Sequence, residues 1–147
     1  MRKEKEPDRH SVSALGGWTW SDPVPDVGDS GVVRRFHALH TVPIGLLTPA
    51  DLRFLIGQNE CLRHLVPKAF ALLETDPWIE SEFYPGDLLN ALLRINHPAG
   101  YWSVDNPYLP GFAELARKAL ATAPNGVARK DLRLLEEVIH LGGQHGF

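Results

Sequence analysis

Proline sets the first limit on what this chain can fold into. Twelve prolines fall in 147 residues, and Pro49, Pro67, Pro77, Pro85, Pro98, Pro110 and Pro124 cut the C-terminal two thirds into short apolar runs. Proline has no backbone N–H for a helix interior or a central strand, so only short elements fit between these positions. The runs themselves carry the 3.6-residue period of amphipathic helices.

The first helix is expected from Thr48, with Thr48 as N-cap, Pro49 at the first helical position and Asp51 at the third, where a carboxylate favours the exposed N–H groups. Leu52, Leu55 and Ile56 then share a face, and Gly57 ends the helix. A second stretch runs from about Glu60 to Thr75; Pro67 either kinks it or starts a fresh helix, and Asp76-Pro77 stops it. Pro85-Gly86-Asp87 opens a third, with Asp87 placed to cap backbone donors in its first turn and Leu88, Leu89, Leu92 and Leu93 behind it. His97-Pro98 breaks that helix, and Tyr101, Trp102 and Tyr108 are aromatic filler before a fourth from about Gly111 to Ala123. After the turn Pro124-Asn125-Gly126, a last helix carries Leu132, Leu135, Val138 and Ile139 and is closed by Gly142-Gly143.

Upstream, Gly31 to Phe36 fits a short strand, although no strand follows to pair with it. Trp18 to Asp29 is too rich in Pro, Asp and Gly for a helix and reads as an extended arm. Trp18 and Trp20 lie on one side of it, either anchoring the arm or forming an aromatic binding pair. The expected fold is therefore mostly α: a compact single-domain bundle of five to six short helices over residues 18–147, with an irregular N-terminal arm and a flexible tail at residues 1–17.

Fifteen Lys and Arg stand against 18 Asp and Glu, and the net charge of −3 argues against a nucleic-acid binder. No apolar stretch approaches the ~20 residues of a membrane span, and Met1 to Glu6 leads into no apolar signal core, so a cytoplasmic protein is expected. Cys61 is the one cysteine and forms no internal bridge. The charge is localised. The first 50 residues and the last 47 are balanced, while residues 51–100 carry four basic against seven acidic side chains. Glu74, Asp76, Glu80, Glu82 and Asp87 fall where no Lys or Arg occurs between Lys68 and Arg94. This stretch is either a solvated loop or a docking surface for a basic partner.

No phosphate loop, dinucleotide fingerprint, nucleophile elbow or paired-cysteine metal site is present. His37 and His40 are three apart in a segment of weak helical character, a poor metal pair. Glu137 and His140 have the Glu-x-x-His spacing of di-iron bundles, but no second such pair accompanies them. No metal and no cofactor is expected. A small hydrolase-like enzyme using His37, His40 and the central carboxylates is one alternative; a non-catalytic adaptor docking through Trp18, Trp20 and the acidic stretch is another. Acidic groups interleaved with Trp78, Phe83 and Tyr84 fit a protein-binding patch better than a catalytic cleft, because aromatics supply burial while charges steer the partner.

Leu52-Arg53-Phe54-Leu55-Ile56-Gly57-Gln58, then Leu65-Val66-Pro67-Lys68-Ala69, Asp76-Pro77 and Phe83-Tyr84-Pro85-Gly86-Asp87-Leu88-Leu89 together resemble the immunity proteins of bacterial contact-dependent growth inhibition (CDI) systems. The resemblance covers about residues 46 to 95. It implies a protein without catalysis that binds the toxic C-terminal domain of a large surface protein, in many cases a nuclease, and covers its active site or substrate surface. The partner is then the cognate toxin domain, bound by a monomer in a one-to-one complex, with no direct nucleic acid and no membrane. Glu74, Asp76, Trp78, Glu80, Glu82 and Tyr84 are the contact candidates. Gly57, Gln58, Pro67, Gly86 and Asp87 of the shared motifs have structural jobs.

Overall fold

The computed structural model describes residues 11, 31–95 and 100–144. Helix α1 spans Gly31–Leu39, a 3-10 turn Ile44–Leu46, α2 Pro49–Gly57, α3 Leu62–Thr75, α4 Asp87–Leu93, α5 Leu109–Ala121 and α6 Arg129–Gln144. Six α-helices and no strand occur among the described residues, so the mostly α fold is as expected. The tail, the arm with Trp18 and Trp20, the boundary at residue 18 and the His97-Pro98 break lie outside the described residues.

The strand expected at Gly31 to Phe36 is instead the first two turns of α1. Phe36, Leu39 and His40 stand at i, i+3 and i+4, a helical stripe that only becomes visible when the segment is extended past Phe36. The His40 Nδ1 lies 2.8 Å from the Phe36 carbonyl oxygen, and the two rings are 4.1 Å apart. Helix α2 starts as its sequence requires. Thr48 Oγ1 accepts from the Asp51 N–H at 3.2 Å and Asp51 Oδ2 accepts from the Thr48 N–H at 3.0 Å, a complete capping box.

Pro67 neither stops nor restarts α3, which runs through it. The proline leaves the Arg63 carbonyl without its helical donor, and the Tyr108 hydroxyl donates to that oxygen at 3.3 Å. Gly142 and Gly143 do not close the last helix either; α6 continues to Gln144. A Cβ at Gly142 would lie 2.3 Å from the Ala113 Cβ, so this glycine is where α6 crosses closely over α5. That contact joins the start of α5 to the end of α6 and makes the two an antiparallel hairpin.

The hairpin packs on α3, and α2 packs on α4, around one core. Leu55, Leu65, Val66, Leu88, Leu92, Phe112 and Leu135 are fully buried there. Phe70, Trp102 and Phe112 fill the space between α3 and α5, with ring centroids 4.3 to 6.4 Å apart. The Trp102 indole N–H donates to the Leu92 carbonyl at 2.6 Å.

Between α3 and α4 the chain makes a connector, residues 76–86, fixed at both ends of its path. The Trp78 indole N–H donates to the Ala119 carbonyl of α5 at 2.9 Å. Gly86 sits under that indole at φ +87°, and a Cβ there would meet Trp78 Cε3 at 2.6 Å. Glu80 and Pro85 face each other in an isolated bridge. Asp87, 3% exposed, accepts from the Ser81 N–H at 2.8 Å, the Ser81 hydroxyl at 2.6 Å, the Glu82 N–H at 2.9 Å and the Phe83 N–H at 2.8 Å. The carboxylate expected to cap its own helix therefore holds the preceding segment. Burial alone would raise the Asp87 carboxyl, but the bonds from Phe83, Ser81 and Glu82 outweigh it and hold the group below the usual carboxylate range.

Two expectations follow for stability. Gly86→Ala combines a left-handed backbone with a blocked indole and should cost about 3 kcal/mol, whereas Gly126→Ala, at φ +93° with nothing within 4 Å of its Cβ, should cost about 1 kcal/mol; equal losses in denaturant unfolding would contradict the Trp78 contact. Asp87→Asn should cost about 2–4 kcal/mol at neutral pH, because an amide cannot accept from four donors. Since the folded carboxyl is depressed, its stabilisation is complete above the unfolded value of about 3.9 and is lost as pH falls through the folded value. Unfolding curves of the parent and the variant should thus converge below about pH 4; a gap that stays constant to pH 2 would refute the assignment.

Candidate functional site

The acidic stretch of the sequence is this pinned connector and the end of α3 before it. Its six contact candidates do different things. Glu74, Asp76 and Glu80 are exposed. Asp76 Oδ1 also accepts from the Trp78 N–H at 3.1 Å, closing a tight turn after α3, and the Glu74 carbonyl accepts from Lys118 Nζ. Trp78 is half-buried and engaged with α5. Tyr84 is 45% exposed, with its hydroxyl accepting from Asn90 Nδ2 at 2.7 Å.

Glu82 is held by two arginines. Arg53 Nη2 lies 2.7 Å from Oε1 and Arg35 Nη1 3.0 Å from Oε2. The bond from Arg53, followed by that from Arg35, keeps the Glu82 carboxyl below its usual range against the opposing effect of burial. Arg35 also donates to the Ala50 carbonyl at 3.2 Å, lies 3.6 Å from Asp51 and covers the Phe54 ring at 4.6 Å. Arg53 covers the Phe83 ring at 4.7 Å. Glu82 thereby ties α1, α2 and the connector together, and its charge is answered within the chain.

Of the motif residues, Gly57 is the last residue of α2 and Gln58 its C-cap, donating to the Phe54 and Leu55 carbonyls. Pro67 is inside α3, and Gly86 and Asp87 shape the connector as described. Phe83, which is not among the contact candidates, is 64% exposed on a backbone N–H that Asp87 fixes. Its aromatic neighbours in the sequence were the available signal. Arg35 and Arg53 gave none, being 47 and 29 residues from Glu82.

Two clefts flank the connector, with Tyr84 lining both. One, of about 360 Å³, lies between Trp78, Tyr84, Leu89, Leu93, Val127 and Leu135. The other, of about 260 Å³, is lined by Arg53, Asn59, Phe83, Asn90 and Arg94. Neither brings histidine to the central carboxylates. His40 is fully buried, with its Nε2 3.9 Å from Glu60 Oε2, and the side chain of His37 lies outside the described residues. No group of three His, Cys, Asp or Glu fit to hold a metal occurs among the described residues. No helix among them is long and apolar enough to cross a membrane.

Among known protein families, the one described as CDI immunity proteins matches residues 19–106. Neither curated proteins nor solved structures returned a match. The matched residues include α1 to α4 and the whole connector, well over half of the chain. The family supports an immunity role. The chain belongs to the CDI immunity protein family.

Proposed function

We propose that this chain binds the cognate toxin domain, at the C-terminus of a CDI surface protein, one-to-one in the cytoplasm. It neutralises that domain by occlusion and carries no catalytic step of its own. The observation that supports this most is the connector with the end of α3 before it: a stretch without Lys or Arg, pinned at Asp87 and Trp78, that presents Glu74, Asp76, Glu80 and Tyr84 to solvent. A rigid loop needs little ordering on association, so less of its contact energy is offset by lost conformational entropy. Exposed carboxylates steer a cationic surface into place. A nuclease fits, since its substrate requires such a surface. Trp78 and Glu82 contribute by holding the connector's shape more than by direct charge.

Co-expression with the C-terminal domain of the adjacent surface protein should restore growth and yield a stable complex; a domain that still kills and does not co-purify would overturn the reading. Reversal of Glu74 and Glu80 to Lys together should slow association by about 3- to 10-fold at low salt and flatten its salt dependence. Both residues are exposed, so unfolding should shift by no more than about 0.5 kcal/mol. An unchanged association rate would assign the docking to another face.

A further inference from the structure

We infer that Phe83 is the aromatic anchor of the toxin interface: its ring buries in an apolar recess of the toxin domain, and the neighbouring Tyr84 hydroxyl donates to an acceptor beside that recess. This rests on the toxin-binding reading and names the part of the connector that holds the complex together.

Phe83 and Tyr84 are the exposed aromatics among the described residues, at 64% and 45%; every other Phe, Tyr or Trp there is buried or half-buried. The two are adjacent, in a short loop that the Glu80–Pro85 bridge closes. A phenyl ring left in water forgoes the burial that the fold gives the other rings. Separate networks hold the pair in place. The Phe83 N–H donates to Asp87 Oδ2 at 2.8 Å, and Arg53 of α2, bound to Glu82 at 2.7 Å, lies over the Phe83 ring at 4.7 Å. The Tyr84 hydroxyl accepts from Asn90 Nδ2 at 2.7 Å, Asn90 Oδ1 accepts from Arg94 Nε at 2.8 Å, and Arg94 meets Asp131 of α6 at 3.0 Å. An exposed aromatic whose backbone and ring are already ordered loses little freedom on association, as an interface hot spot requires.

The partner's chemistry follows from what the pair leaves open. Arg53 covers one ring face, so the other face and the edge of Phe83 are left for burial. Tyr84 uses its oxygen as an acceptor, and its O–H has no acceptor among the described residues. The charges that hold the pair, on Arg53, Glu82, Arg94 and Asp131, are answered within the chain. The contact therefore selects by shape and by one hydrogen bond, and not by the sign of a charge. A second copy fits this loop poorly, because a two-fold contact through it would bring exposed Glu80 of one copy towards Glu80 of the other.

The exposed carboxylates then set association, and the aromatic pair sets dissociation. The test is the full chain against its toxin domain, with both rate constants measured. Phe83→Ala should dissociate at least about 30-fold faster and Tyr84→Phe about 3- to 10-fold faster, with association within about 2-fold of the parent and an unchanged salt slope. In free Phe83→Ala the Ser81 and Glu82 amides should keep the parent's protection from hydrogen exchange, because Asp87 and not the ring holds them. Dissociation of Phe83→Ala within about 2-fold of the parent would overturn the anchor while leaving toxin binding intact; an unchanged Tyr84→Phe would overturn the role of the hydroxyl. Faster dissociation accompanied by lost amide protection would place Phe83 in the fold and not in the interface, and overturns the anchor too. So does self-association of the free chain that Phe83→Ala abolishes with toxin dissociation unchanged, which would assign the ring to a second copy. A parent chain that forms no complex at all overturns the toxin-binding reading itself.

Discussion

The carboxylate of Asp87 lies almost out of reach of water and accepts from three successive residues of the segment before it. An ionised group in that position would be strongly disfavoured without partners, and four donors satisfy it. The same four bonds remove the freedom of a turn that has few buried side chains of its own. Much of the connector's surface depends on this arrangement. With the Ser81, Glu82 and Phe83 amides fixed, Glu82 points at Arg35 and Arg53, Phe83 lies beneath Arg53, and Tyr84 reaches Asn90.

The acidic stretch from Glu74 to Asp87 thus divides its carboxylates by role. Asp87 is internal structure, and Glu82 is the knot that ties α1 and α2 to the connector. Glu74, Asp76 and Glu80 remain at the surface. A formal count of five acidic groups overstates the charge available to a partner. It also understates the rigidity with which that charge is presented, because two of the five hold the loop. The half-buried Trp78 does the same from the other side, fixing the connector on α5 and forming the wall of a cleft.

What could be read from sequence was what neighbouring residues decide. The capping box at Thr48 and Asp51 spans three residues, and the stops at Asp76-Pro77 and Pro124 to Gly126 are local backbone chemistry; all are present in the structure. The α1 helix was hidden because its β-branched start, Val32-Val33, favours strand while its apolar stripe begins only at Phe36. Pro67 looked like a kink or a fresh start, and Gly142 like a stop. Tertiary contacts made them tolerable or necessary, through the Tyr108 hydroxyl in one case and the Ala113 methyl in the other. The acidic stretch was visible as composition, but its division into paired and exposed groups depends on arginines far away in the chain.

The central claim is that the connector is rigid before any partner arrives. Amide hydrogen exchange of the free chain at neutral pH tests this directly, residue by residue, at Ser81, Glu82 and Phe83. These three amides, though in a surface segment without helix or strand, should be protected at least about 100-fold relative to an unstructured chain, in line with buried charge-assisted bonds. Exchange at the rate of a free loop would show that Asp87 does not hold the connector and would contradict the account.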